Sequence, residues 1–212
     1  AVQTLGEIQI TAMQEGNTNY LAATAVERTL NITSSNAMAS SIIIDGQVYD
    51  NPAAEIYYLI DCANGISIVD VSFVTEANAQ VSTGSNFSID ATAPGIYRQQ
   101  VVVTSQDWTQ SRTYMIVVEK AFNFEDIAVQ KYNNTLVVNN NPSTNGGYSF
   151  VAYEWFKNGN SVGTKQVFSE GDRESDLLDL NASYMVKMTT TSGDVLQTCQ
   201  AKIVRSNSFS LM

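Results

Sequence analysis

The chain has 212 residues, of which 44% are apolar and 15% are charged, and its formal net charge is −10 at pH 7. This length suits one large domain or two small ones with buried cores, and a chain this acidic repels phosphate backbones, which argues against nucleic-acid binding. Histidine is absent, which excludes Ser-His-Asp and Cys-His catalytic pairs and histidine zinc sites.

Short runs of strand-forming residues, separated by turn signals, predict an all-β sandwich from the start of the chain. The stretch "EIQITAM" is the first predicted strand. The clearest local signal is "SIIIDGQVY", which predicts a hairpin whose two-residue turn is Asp45-Gly46, because glycine accepts a positive φ without steric cost.

The stretch "NPAAEIYYLIDCANG" (51–65) predicts one short helix. Asn51 suits the N-cap, Pro52 suits the first helical position, and the Asn-Gly pair at 64–65 suits the end. The apolar residues follow helical spacing: Ile56, Leu59, Ile60 and Ala63. The alternative is a strand through "EIYYLI".

Two later predicted strands have apolar residues at odd as well as even positions, and therefore on both of their faces. In "GISIVDVSFV" the alternation changes phase, which predicts a β-bulge near Val69 that lets both sets face inward. In "RTYMIVVEKAF" both faces are apolar, which predicts a central or covered strand.

The segment "EKAFNFED" (119–126) is the predicted domain boundary, because the strand pattern restarts after it with about seven strands, a number typical of an immunoglobulin-like domain. We therefore predict two tandem immunoglobulin-like β-sandwich domains, 1–121 and 122–205, of which the first contains the short helix. Residues 206–212 are predicted to be a linker tail. Trp155 is predicted to lie in the second core, on one face of its strand with Tyr153 and Val151.

Residues 127–204 resemble the immunoglobulin-like modules of surface and secreted proteins of Bacteroidetes. The resemblance is carried by "YEWFKNG", "DLLDLNASYMVKMTTTSG" and "LQTC". It implies that Trp155 packs between two sheets and that Tyr184 is a corner tyrosine, whose hydroxyl bonds to the chain upstream. Two features depart from the pattern: Cys199 has no cysteine partner on "TLVVNNN", and Leu180 stands where Asp is common.

Residues 66–120 resemble the cadherin-like sandwich modules of bacterial surface proteins, through "VSTGSNFSIDATAPGIY" and "VVVTSQDWTQSRTYMIVVEK". Trp108 stands at a turn where that family usually has glycine. Together the two resemblances imply adhesion or spacer modules, often placed before a C-terminal cell-surface sorting domain.

Three aromatic residues are the candidate ligand-binding residues: Trp108, Tyr57 and Tyr58. A tryptophan in a turn is not buried by its own hairpin, and an exposed indole offers a flat face to a sugar or a protein. The alternative for Trp108 is packing on the second domain or on an adjacent loop. At least one tyrosine of the predicted helix points outward, toward an interface or along the helix edge.

The stretch "EGDRESDLLD" has carboxylates at alternate positions, which is one way to surround Ca²⁺. The metal candidates are Asp172, Glu174 and Asp176. Because no known loop spacing is met and Arg173 offers a salt partner, we favour a solvated acidic loop. No cofactor is predicted.

Cys62 and Cys199 do not form a disulfide framework or a zinc site by themselves. We favour two free, buried thiols, since free cysteine usually packs as a small hydrophobe. The alternative is an interdomain bridge.

Three functions are open. The favoured one is a non-catalytic adhesion or spacer segment of a bacterial surface protein, extracellular or attached to the outer membrane, with a protein or glycan as partner. The second is an ancillary carbohydrate-binding module of a glycan-degrading protein, and the third is a hydrolase with paired carboxylates. No apolar run is long enough to cross a bilayer. The chain starts at Ala1 without a signal-peptide pattern, so we expect a removed leader or a piece of a longer polypeptide.

Overall fold

The computed structural model describes residues 5–63, 65–173 and 175–204, and they form an almost entirely β structure. The first ten strands precede residue 121: β1 Gly6–Ala12, β2 Val26–Ile32, β3 Ala39–Ile44, β4 Gln47–Asp50, β5 Glu55–Ile60, β6 Ile68–Thr75, β7 Gln80–Val81, β8 Asn86–Asp90, β9 Gly95–Thr104 and β10 Ser111–Lys120. The remaining elements follow: α1 Phe124–Ile127, β11 Ala128–Lys131, β12 Thr135–Val138, β13 Phe150–Lys157, β14 Asn160–Gly163, β15 Val167–Ser169, β16 Ser183–Thr190, β17 Val195–Gln197 and β18 Ala201–Lys202.

These strands form five sheets. Their strand orders are β1-β2, β4-β3-β6-β8, β5-β10-β9-β7, β11-β12-β15 and β14-β13-β16-β17, with β18 also paired to β16. The strand β10 lies between two neighbours, as its apolar residues on both faces predicted. It pairs in parallel with β5 over Met115–Lys120. Antiparallel pairing joins β1 to β2, β3 to β4 and β6, β7 to β9, β12 to β11 and β15, β13 to β14 and β16, and β16 to β17 and β18.

The chain divides into two compact units, each built from separate stretches of sequence. The first unit contains Ala1–Ala54, Val71–Phe87 and Gln100–Tyr114, and the second contains Glu55–Asp70, Ser88–Gln99 and Met115–Met212. The predicted division into domains 1–121 and 122–205 stays a prediction.

The core of the first unit is made by inward-facing residues from two sheets. Ile42 and Ile44 of β3 are fully buried, as is Tyr114 of β10. The ring of Tyr114 meets that of Phe73 edge to face, with 5.7 Å between centroids. Its hydroxyl accepts a hydrogen bond of 2.9 Å from the backbone N–H of Ala39, so the polar end of this buried ring is satisfied.

The hairpin at Asp45-Gly46 is confirmed. Ile44 pairs with Gln47 across the two-residue turn, and Asp45 and Gly46 have φ values of 45° and 82°. Two consecutive positive φ values match the twist of the flanking strands, which is why Asp-Gly is favoured there.

The predicted helix over 51–65 is wrong, and the alternative strand is confirmed as β5. Ile56, Tyr58 and Ile60 face inward to differing degrees, whereas Tyr57 and Leu59 are exposed. Pairing with β10 stabilises the extended conformation. A period-3.6 pattern over the eight residues from Ile56 to Ala63 is too short to distinguish a helix from a strand when a neighbouring strand offers hydrogen bonds.

The bulge predicted near Val69 is also wrong. The strand β6 begins at Ile68, which is exposed, and then alternates regularly with Val69, Val71 and Phe73 buried. Ile66 lies before the strand, so it does not have to follow the inward–outward alternation of β6. The irregularity in this pairing is a register shift between Ala39 and Ser41 of β3.

The core of the second unit confirms Trp155 as a buried residue, with 0% exposure. Its indole N–H donates a 2.9 Å hydrogen bond to the carbonyl of Lys165, and its ring lies 6.0 Å from that of Phe168 on the facing sheet. Val151 is exposed, contrary to the prediction, because a register shift between Phe150 and Ala152 turns Phe150 inward instead.

Tyr184 makes the upstream hydrogen bond that the immunoglobulin-like resemblance implies. Its buried hydroxyl accepts a 2.9 Å hydrogen bond from the backbone N–H of Asp179, five residues earlier. The same hydroxyl donates to the carboxylate of Glu170. Burial, followed by the bond to Glu170, raises the pKa of Tyr184, so the hydroxyl keeps its proton and continues to donate.

The hairpin β1–β2 is amphipathic but is exposed along almost its whole length. Its register places Ile8 opposite Leu30 on one face and Glu7 opposite Asn31 on the other. Residues directly opposite in an antiparallel pair share a face, so one face is mainly apolar and the other polar.

Candidate functional site

The first candidate site is the turn that carries Trp108, a large aromatic side chain exposed to solvent. Ser105 and Gln110 close it, with a 3.0 Å bond from the Ser105 N–H to the Gln110 carbonyl. The carboxylate of Asp107 accepts from the hydroxyl of Ser105 at 2.7 Å and from the N–H of Thr109 at 3.0 Å. These bonds lower the pKa of Asp107 and hold the turn in one conformation.

Trp108 is 72% exposed on this turn, as the sequence predicted. Its φ is +62°, a left-handed conformation that costs a residue with a Cβ roughly 1–2 kcal/mol. Glycine would occupy the same position without that cost. The indole is therefore placed where it gives the fold little packing and costs it backbone energy.

Polar groups surround the base of the turn. The backbone of Ser34 bonds to it twice, by accepting from the N–H of Asp107 at 3.1 Å and by donating to the side-chain carbonyl of Gln106 at 3.2 Å. The hydroxyl of Ser34 donates to the carboxylate of Glu76. Hydroxyl, amide and carboxylate groups thus lie in one hydrogen-bonded network with the turn that presents the indole.

Tyr57 lies in the second unit, half exposed, and its hydroxyl donates to the carboxylate of Glu119. The parallel pairing puts Tyr57 opposite Val117, so Glu119 is the diagonal neighbour on the same face. Burial, followed by this bond, raises the pKa of Tyr57. The hydroxyl of Tyr57 therefore holds the carboxylate of Glu119, while part of the tyrosine ring remains exposed.

Glu119 is the one carboxylate among the described residues that is fully buried, with 2% exposure. Its second oxygen accepts a 2.9 Å hydrogen bond from the N–H of Gln197. Burial raises the pKa of Glu119 despite the two hydrogen bonds and the nearby Lys187, which act in the opposite direction. A small cavity of about 300 Å³ is lined by the same residues: Tyr57, Glu119, Lys187, Val195 and Gln197.

We expect Glu119 to make stability pH-dependent. Its folded pKa is raised above the unfolded value, so its contribution is fully present below the unfolded pKa and is lost as pH rises through the folded pKa. The Glu119→Gln variant keeps the shape of the side chain without its charge. As pH rises, its melting temperature should fall less than that of the native protein. Thermal melts from about pH 4 to pH 8 measure the difference. Parallel curves would show that the carboxylate titrates alike in both states.

Tyr58 faces the opposite side of β5 from Tyr57 and is half-buried, so the two tyrosines do not form one exposed surface. Trp108 belongs to the first unit and both tyrosines to the second. Glu119 is not among the site residues predicted from the sequence. The available signal was a charged residue directly after the apolar run "YMIVV".

The predicted metal candidates are only partly described. Glu174 lies outside the described residues, and the carboxylate of Asp176 accepts a 3.0 Å hydrogen bond from the N–H of Arg173. Within residues 5–63, 65–173 and 175–204, no group of three His, Cys, Asp or Glu side chains is placed to hold a metal ion. Of the carboxylates in the same ranges, Glu119 is the fully buried one.

The favoured prediction of free thiols is wrong, because Cys62 and Cys199 form a disulfide across 137 positions of sequence. The backbone brings them together: Phe122 and Thr198 form a parallel bridge, and the N–H of Cys199 donates to the carbonyl of Phe122 at 2.7 Å. Both cysteines line an open depression of about 760 Å³. Neither cysteine is fully buried, so burial as a small hydrophobe does not describe them.

Comparison with known proteins assigns no family. No protein-family model matches the sequence, and no curated protein matches it significantly. A solved structure of fibronectin(III)-like modules of Clostridium thermocellum CbhA is similar at a TM-score of 0.27 and 11% sequence identity, over 76% of this chain and 90% of that one. A likeness at this level assigns neither fold nor function. Membership in the surface proteins of Bacteroidetes, and the cadherin-like modules, stay predictions.

No helix among the described residues has the length and apolar character needed to cross a membrane.

Proposed function

We propose that the chain is a non-catalytic adhesion or spacer segment of an extracellular surface protein, with the Trp108 turn as its contact point. The observation that carries this proposal is the placement of Trp108. An exposed indole in a left-handed backbone conformation costs stability, so its use lies in contact with another molecule.

The disulfide supports an extracellular location. Disulfides form and persist in oxidising compartments, and in cytosolic proteins they are uncommon. The Cys62–Cys199 bond closes a loop of 137 positions, and both cysteines belong to the second unit. The low share of charged residues and the abundance of Asn, Ser and Thr fit the same location.

Glycan binding is a second candidate function for the same turn. Sugar recognition combines a flat aromatic face with hydrogen-bonding groups at its border. The network of Ser34, Glu76 and Gln106 next to the turn provides such groups. Among the described residues, however, no other aromatic ring stacks with Trp108, so this candidate site offers one sugar platform.

Binding measured with and without the indole tests the proposal. The purified chain is applied to a glycan array and to a panel of immobilised extracellular matrix proteins, beside the Trp108→Gly variant. We expect the native chain to bind one class of probe and the variant to lose at least tenfold in affinity. A glycan hit selects the second candidate, and a protein hit selects adhesion.

The Trp108→Gly variant should fold as well as the native chain or slightly better. Glycine removes the left-handed strain, worth roughly 1–2 kcal/mol, and adds unfolded-state entropy of roughly 0.5–1 kcal/mol. We therefore expect a change in unfolding free energy between zero and about +1.5 kcal/mol, measured by urea unfolding. A clear destabilisation would show that the indole packs on the protein and would contradict the proposed role.

A further inference from the structure

We infer that the Cys62–Cys199 bond gives the chain a mechanical function: it carries tension past the residues between the two cysteines. The inference rests on the proposed role as a surface segment, in which pulling forces reach both ends of the chain. It follows from connectivity, because a covalent bond between two points of a polymer bears the load that the intervening loop would otherwise bear.

The residues between the cysteines, 63–198, form the shielded segment. It contains the strands β6 to β17 and the helix α1. Tension applied at the ends passes from the N-terminal part to Cys62, through the two sulfur atoms, and out from Cys199. While the bond is intact, that tension does not stretch the shielded segment.

The core around Trp155 lies almost wholly inside the shielded segment. Of its buried members, those from Phe122 to Leu196 are shielded, and Ile203 is on the loaded path. The strand β18, which also follows Cys199, is two residues long and pairs with β16. Its loss removes one short strand from the edge of this sheet and leaves the central pair β13–β16 unloaded.

The strands before Cys62 are loaded, and they are the ones expected to yield. The first is the hairpin β1–β2, which is exposed along nearly its whole length. A two-stranded hairpin alone is marginally stable in water, so it should extend at low force. The strands β3, β4 and β5 follow on the same path.

Hydrogen bonds beside the disulfide are too weak to replace it. The N–H of Phe122 donates to the carbonyl of Gln197 at 2.9 Å, the N–H of Cys199 donates to the carbonyl of Phe122 at 2.7 Å, and the N–H of Gln197 donates to Glu119 at 2.9 Å. Each such bond is far weaker than a covalent S–S bond. Reduction of the disulfide should therefore expose the whole loop to tension.

Single-molecule stretching of the full chain, held by its two ends, measures the effect. The loop of 137 positions corresponds to roughly 450–490 Å of contour length at 3.3–3.6 Å per residue. We expect the oxidised chain to reach roughly 250 Å of contour length and the same molecules, after addition of a reductant, to gain the loop length. The doubly substituted chain, Cys62→Ser with Cys199→Ser, should show the long extension with or without reductant.

An oxidised chain that extends to its full length, with thiols blocked from exchange, would overturn the inference. The order of the unfolding steps is a second readout. The increase in length caused by unfolding of the core around Trp155 should appear only after the disulfide is reduced. Binding of the Trp108→Gly variant tests the proposed contact point separately. Lost binding with an intact length difference supports both statements, whereas retained binding with the length difference contradicts the contact point alone.

Discussion

Replacing Trp155 with alanine is expected to destabilise the second unit by roughly 3–5 kcal/mol, the usual cost of emptying a large aromatic site in a core. The indole has 0% exposure, so its whole apolar surface returns to water on unfolding. The variant also leaves the carbonyl of Lys165 without the 2.9 Å hydrogen bond it now accepts. Urea unfolding followed by far-ultraviolet circular dichroism measures the loss.

Two variants act as controls for that experiment. Trp155→Phe keeps most of the packing and removes the hydrogen bond, so a smaller loss is expected. Trp108→Ala removes the same type of side chain from a surface that is 72% exposed and should leave the unfolding midpoint nearly unchanged. If Trp155→Ala and Trp108→Ala had equal midpoints, the description of the second core would be wrong.

Removing the disulfide is expected to lower the unfolding free energy by about 3–5 kcal/mol, because the bond restricts the unfolded chain more the longer the loop it closes. The loop here has 137 positions, which places the effect at the upper end of the range. The chain with Cys62→Ser and Cys199→Ser is compared with the native chain in urea, under oxidising conditions.

The native chain in the presence of a reductant is the matched control, because it loses the bond without a change of side chain size. Both samples should shift to lower urea by similar amounts. A reductant that shifts the native midpoint but not that of the double variant would assign the effect to the bond. No shift in either sample would mean that the bond is absent or that the unfolded chain is already restricted there.

The local features of the fold could be predicted where neighbouring residues alone determine them. The turn at Asp45-Gly46 depends on the φ values that those two residues accept. The burial of Trp155 and the upstream hydrogen bond of Tyr184 follow from a strand pattern within a short stretch. The exposure of Trp108 follows from its place in a turn.

The features that the sequence did not predict depend on residues distant in the chain. Whether "EIYYLI" forms a helix or a strand is decided by β10, which begins about fifty residues later and supplies the hydrogen bonds. The disulfide depends on the pairing of Phe122 with Thr198, and Val151 is exposed because β13 shifts register against β16. Periodicity along one segment contains no information about such partners.

The two tryptophans also make the molecule its own optical reporter. One indole is enclosed in the second unit and the other is in contact with solvent in the first. Fluorescence emission of Trp155 should shift to the red when the second unit unfolds, whereas Trp108 already emits as a hydrated indole. In the Trp108→Ala chain, tryptophan fluorescence therefore comes from Trp155 alone and reports unfolding of the second unit without an added dye.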